Sequence, residues 1–160
     1  IRVTAVNDGG ESLPTEVLGA RVGDQPLLLI VNGFDRLAAD EIVVQYDPVE
    51  GPNARMWVEQ MNSRNYVVHH GQAVPAVYAW NSASNEAVRD GLVSLQDTLL
   101  VDWLLGEEAT LEDGTLDAAE RAALTAFLNS GRALLISGSY LAWDLDGMGR
   151  ALTIGVDLNF

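Results

Sequence analysis

Cysteine and lysine are both missing from the 160 residues. Without cysteine there is no disulfide, no thiolate-bound metal and no thiol nucleophile, although the compartment stays open. Without lysine the 9 basic side chains are all arginines, scattered along the chain against 23 acidic residues. The net charge of −14 provides none of the clustered cations that phosphate backbones require, so neither nucleic acid nor an anionic membrane is an expected partner. A solvated acidic surface is the plain reading of that balance. Long apolar runs are also missing: "QPLLLIVNGF" and "TLLVDWLLG" are strand-sized, well short of the ~20 residues of a membrane helix, and no membrane insertion is expected. The opening "IRVTAVND" has neither an initiating Met nor the basic and apolar regions of a signal peptide. It reads as an internal or processed piece of something longer.

What is present is a chain that can fold, with 48% apolar and 20% charged residues over the length of one ordinary domain. Residues 1–22 alternate Ile1, Val3 and Ala5 on one face, turn through Asp8-Gly9-Gly10, and resume an extended pattern through Val17 and Val22. That is a hairpin signal, and an isolated hairpin is marginal in water. A short linker, residues 23–26, separates it from a different grammar. Leu27 to Val31 form a continuous apolar run suited to a strand buried on both faces. Residues 37–53 are irregular, broken by Pro48, Gly51 and Pro52, with "EIVVQY" as an extra strand or lid-like excursion. Helical patches are expected around Ala54 to Met61 and Tyr66 to Val74, the second ended by Pro75, with the extended "AVYAW" after it.

The strongest pattern begins at Thr98. "TLLVDWLLG" reads as a central strand, and "TLDAAERAALTAFLNSG" as a helix with Asp117 as N-cap, Glu120 three residues on, and a core stripe of Ala123, Leu124, Phe127 and Leu128. Gly131 closes the helix and "RALLIS" is the next strand. Strand, helix and strand within about 40 residues predict a parallel pair joined by a right-handed crossover. The last segment, residues 147–160, alternates Leu152, Ile154, Val156, Leu158 and Phe160 as an amphipathic edge strand or a truncated continuation would. It also resembles the terminal strand of outer-membrane barrels, yet nothing else in the chain supplies the strands a barrel needs.

Two resemblances rest on these residues. "VTAVNDGGES" resembles the last two strands and turn of a fibronectin type III module. The segments "VNGFDR", "SASNEAV", "LLGEE" and "SGSYLAWDLD", within residues 27–146, are similar to the class I glutamine amidotransferase-like superfamily. More narrowly, they resemble domains that follow fibronectin type III modules in bacterial secreted proteins of xanthan lyase-like or peptidoglycan amidase-associated type. The resemblance implies an α/β, flavodoxin-like three-layer sandwich with a mainly parallel sheet, preceded by a hairpin remnant of a fibronectin sandwich. It also implies a multidomain parent and an extracytoplasmic location, secreted, periplasmic or at the cell surface. Relatives with amidotransferase chemistry carry a Cys on the strand-to-helix turn and a His downstream. Here the turn is Ser137-Gly138-Ser139 and no His follows His70, so thiol amidotransfer is excluded.

Parallel α/β sheets bind ligands outside the carboxyl ends of their strands. The residues falling there are Asn32, Asp35, Arg36, Glu107, Glu108, Ser137, Ser139, Tyr140, Trp143 and Asp144. Glu107 and Glu108 are candidates for acid and base work on a glycan, and Asp35, Glu107, Glu108 and Asp144 for holding a divalent cation. Tyr140 and Trp143 could stack on sugar rings. Ser139 and Ser137 sit where a hydrolase elbow would place a nucleophile, but "ISGSYL" lacks the Gly-x-Ser-x-Gly frame, so helix capping competes with catalysis there. Adjacent His69 and His70 point about 100° apart on a helix, one inward and one to solvent, and cannot share a metal. The expectation is a non-catalytic binding or spacer module with no cofactor, a divalent cation being the one candidate, and a carbohydrate as the candidate ligand. The alternatives are a carboxylate- or metal-dependent hydrolase of cell-wall or polysaccharide substrates, and an assembly piece completed by strand pairing with the upstream part of its parent chain or with neighbouring protomers.

Overall fold

A computed structural model describes residues 1, 3–11, 15–34, 42–49, 51–56, 65–106 and 115–142. Strands β1 (Val6–Asn7) and β2 (Gly10–Glu11) pair antiparallel across the Asp8-Gly9 turn. The flanking chain continues the pairing, with Thr15 N donating to Val3 O at 2.9 Å and Leu18 N to Ile1 O at 2.9 Å. Next come β3 (Ala20–Arg21), β4 (Gln25–Asn32), β5 (Ile42–Asp47), β6 (Gly51–Met56), helix α1 (Tyr66–Ala73), β7 (Tyr78–Ser84) and α2 (Asn85–Arg89). A 3-10 turn at Leu95–Asp97 leads into β8 (Leu100–Gly106), α3 (Ala118–Asn129) and β9 (Ala133–Gly138).

The main sheet has five strands in the order β3-β7-β4-β8-β9, parallel except for β3, which pairs antiparallel with β7. Its inner strands are buried on both faces because helices lie on each. Alternation sends Leu29, Val31, Val101, Trp103 and Leu105 to one side, where they pack with Leu124 and Phe127 of α3. Ile30 and Leu104 point to the other side, against Val67 of α1 and Trp80. The chain is thus a mixed α/β fold on a mostly parallel sheet, and the apolar runs at 27–31 and 100–105 are continuous for that reason.

Helix α3 starts where the sequence places it. The Asp117 carboxylate accepts from Glu120 N at 2.8 Å, and the Glu120 carboxylate accepts from Asp117 N at 2.8 Å. Glu120 is buried, and its second oxygen accepts from Asn85 Nδ2 at 2.9 Å, so the capping box also fastens α3 to α2. Gly131, at φ 78, ends the helix in the left-handed region expected of it.

Helix α1 is held by two devices. Arg21 caps its carboxyl end, donating through Nη2 to Val74 O at 2.8 Å and Pro75 O at 2.7 Å, and through Nη1 to Gly71 O at 3.3 Å. A cation there also complements the negative end of the helix. The second device is Gly71, whose missing side chain lets the helix lie against the Trp80 indole.

The helical patch expected from Ala54 is overturned for residues 54–56, which form β6 and pair with β5 in the register Ile42↔Met56 to Asp47↔Gly51. Gly51, at φ 86, closes the turn, and the ladder offered by the β-branched "IVV" outweighs the local helical preference. Residues 57–61 of that patch lie outside the described residues. Of the expected strand "EIVVQY", Ile42 to Tyr46 belong to β5, and "AVYAW" runs into the start of β7 at Tyr78.

In an exposed helix Gly→Ala stabilises by about 1 kcal/mol. Here a Cβ at Gly71 would stand 2.3 Å from Trp80 Cζ2, so Gly71→Ala is expected to destabilise instead, by ~1–3 kcal/mol, read as a lower midpoint in urea denaturation. A rise in the midpoint would disprove the close helix-to-sheet contact.

Candidate functional site

The site begins with an oddity of β8. In "LVDWLLG" every residue from Val101 to Leu105 is buried, and Asp102 is one of them at 7% exposure. Its ladder neighbours are Ile30 on β4 and Leu135 on β9, so the strand itself gives the carboxylate no polar partner. Burying an unpaired charge is costly, and the partner comes from above the sheet. On α1, Val67 and Gly71 are the buried positions, and His70 lies three residues after Val67 on the same face. His70 Nδ1 stands 2.7 Å from Asp102 Oδ2, while His69, one helical step away, is exposed. The expected division of the histidine pair, one inward and one outward, is thus what the helix makes of it.

A carboxylate accepts, so the Nδ1 proton is donated to Asp102 and the lone pair of neutral imidazole lies on Nε2. The His70 side chain keeps 33% of its surface, against 10% for Asp102, so the imidazole is the more accessible of the two. Asp102 Oδ1 has no hydrogen-bond partner among the described residues.

His70 divides two cavities. The first, of about 460 Å³, opens at the carboxyl ends of β8 and β9 and is lined by Tyr66, His70, Leu104, Gly106, Ser137, Gly138 and Ser139. Small residues create it. Gly106, at φ 54, leaves room for the Phe34 ring, since a Cβ there would approach Phe34 Cγ to 2.8 Å. Phe34 in turn meets Tyr66 with ring centroids 6.0 Å apart, fixing the aromatic wall. The second cavity, of about 610 Å³, lies along the sheet on the far side of His70. Its lining, including Leu28, Val74, Leu100 and Leu135 with Asp102 beneath, is mostly apolar.

Of the residues expected from sequence, Ser137 and Ser139 reach the strand-end crevice. Asn32 is buried, and its amide donates to Phe34 O at 3.2 Å, so it shapes the loop rather than facing a ligand. Tyr140 is 45% exposed and does not line the crevice. Asp35, Arg36, Glu107, Glu108, Trp143 and Asp144 lie outside the described residues. Among the described residues no group of three His, Cys, Asp or Glu side chains could hold a metal ion.

Sequence reasoning missed Asp102 and Tyr66. The signal for Asp102 was visible, as the one charge inside an otherwise apolar strand. Its partner was not, because His70 is 32 positions away and reaches it only through the packing of α1. Comparison of the chain with protein-family models, with curated proteins and with solved structures finds no match to any of them.

Removing one member of the pair strands the other. His70→Leu, which leaves Asp102 in apolar surroundings, is expected to cost ~1–3 kcal/mol in unfolding free energy. The double variant His70→Leu/Asp102→Leu should recover most of that loss, because no uncompensated group is then buried. Additive losses in this cycle would show that the two side chains are not coupled.

Proposed function

We propose that the chain is a ligand-binding module of flavodoxin-like arrangement, belonging to a multidomain extracytoplasmic protein, and that its strand-end crevice takes a neutral carbohydrate. The observation that carries this reading is the 460 Å³ crevice walled by Tyr66 and floored by Ser137 and Ser139. Its position supports it. The crevice opens at the carboxyl ends of β8 and β9, one strand over from the divergence of connections between β4 and β8, and open α/β sheets hold their ligands outside the carboxyl ends of their strands.

Chemistry supports a neutral polyol over an anion. Among the described residues no Arg lines the crevice, and a protein of net charge −14 repels phosphate and sulfate groups at long range. Hydroxyls of serine and tyrosine donate and accept, as sugar hydroxyls do, and an aromatic wall gives a pyranose an apolar face to rest on. The extracytoplasmic placement rests on the resemblance of residues 1–22 and 27–146 to secreted modules. Among the described residues no helix is long and apolar enough to cross a membrane.

Calorimetric titration with xylo-, cello- and chito-oligosaccharides tests the reading. At least one series should bind. Ser139→Trp, which fills the crevice from an exposed turn, should abolish binding, and Tyr66→Ala should weaken it about tenfold, the equivalent of ~1.4 kcal/mol. His69→Ala, on the exposed side of α1, should bind as the parent does. Absence of binding in all three series, or binding indifferent to Ser139→Trp, would overturn it.

A further inference from the structure

We propose that Ser137, His70 and Asp102 form an acyl-transfer group within this crevice, and that its substrate is a neutral carboxylic ester borne on a sugar. The inference rests on the crevice being the ligand site and adds a reaction to it. Its three side chains come from β9, α1 and β8, and one face of the sheet collects them. Ser137 pairs with Leu104 in the β8–β9 ladder, and Leu104 packs on the α1 side of the sheet. Two residues back along β8 is Asp102, about 7 Å at 3.3 Å per residue, and His70 spans from Asp102 to the crevice that Ser137 lines. The order along the sheet face is therefore carboxylate, imidazole, hydroxyl.

An ordinary structural histidine would be sealed with both nitrogens satisfied. His70 has one nitrogen fixed on a buried carboxylate and no protein hydrogen bond at Nε2 among the described residues, on a ring one-third exposed. The surroundings of Asp102 are equally pointed: Ile30 and Leu135 flank it, and a leucine there would complete the apolar strand. A buried carboxylate at that place costs folding energy and serves to hold the imidazole tautomer.

The step balances without any co-reactant but water. Ser137 Oγ attacks the acyl carbon as its proton passes to His70 Nε2. The tetrahedral adduct collapses, the bond between the acyl carbon and the sugar oxygen breaks, and the sugar oxygen takes the proton from Nε2. Water then adds to the acyl-serine, giving its proton to Nε2, and the carboxylic acid leaves as Ser137 Oγ is reprotonated. Asp102 keeps its charge throughout and acts as a positioning residue. Among the described residues the lining has no arginine to receive a phosphoester, which favours the uncharged ester.

The test uses p-nitrophenyl acetate and acetylated xylo-oligosaccharides as substrates and a fluorophosphonate as a covalent probe. The chain is expected to hydrolyse the esters and to be labelled at Ser137, located by peptide mass. Ser137→Ala should abolish labelling and lower turnover by about a thousandfold or more with an unchanged thermal midpoint, and His70→Asn should lower turnover nearly as much when assayed well below its own, lower midpoint. Asp102→Asn should lower turnover and shift the acid limb of the pH profile, with Asp102→Glu restoring part of the rate; a purely structural role would move the melting curve alone. Labelling at another residue, or turnover in Ser137→Ala or His70→Asn equal to the parent, would overturn the proposal. So would a chain that binds unacetylated xylo-oligosaccharide yet neither turns over ester nor takes the probe. Ester turnover with Ser137 labelling, but without binding of any unacetylated sugar, would uphold the acyl-transfer group and sink the carbohydrate-binding reading instead.

Discussion

Burial of β4 and β8 on both faces is the constraint on which everything else depends. A parallel pair in the middle of a sheet exposes no face to water, so each side must be roofed, and the two roofs are built differently. On one side α3 presents Leu124 and Phe127 to Val101 and Trp103, a dry apolar contact. On the other side α1 approaches the sheet at Gly71 over Trp80, close enough for His70 to reach the Asp102 carboxylate. The polar centre is thus a by-product of how near a glycine lets a helix come to a strand.

The same geometry separates the site from its foundation. Asp102 is rigid because it sits in a strand paired on both edges, with Ile30 and Leu135 as ladder neighbours. His70 is oriented because the helix carrying it is anchored at its carboxyl end by Arg21. Ser137 sits near the end of β9, still paired with Leu104, and Ser139 follows the strand's last residue. Rigid elements hold the charged pair, and the loop-like end of a strand presents the hydroxyls, the usual division between scaffold and reactive surface.

Much of the fold was legible in the residues. The capping box at Asp117 and Glu120, the stop at Gly131 and the apolar strands were read correctly because each is a local signal with a local cause. The helical reading near Ala54 failed because β5 supplied a ladder that propensity alone does not register. The strand-end rule named Ser137 and Ser139, which line the crevice, and Asn32, whose amide donates to Phe34 O. The histidine pair was split correctly into an inner and an outer member by the 100° step of a helix. What the inner one meets was beyond reach.

By itself the sequence determined most strands of the main sheet, the capped helix α3, and that the chain has no thiol to react. Those follow from composition and from periodicities of two and 3.6 residues, which act over a few neighbours. Only the tertiary structure decided that Asp102 meets His70, that Arg21 caps a helix some fifty residues on, and that Tyr66 and Ser137 share a crevice. Each of these depends on strand order and on the distance at which α1 packs. Both are set by the summed fit of many side chains, and no short stretch of the chain contains them.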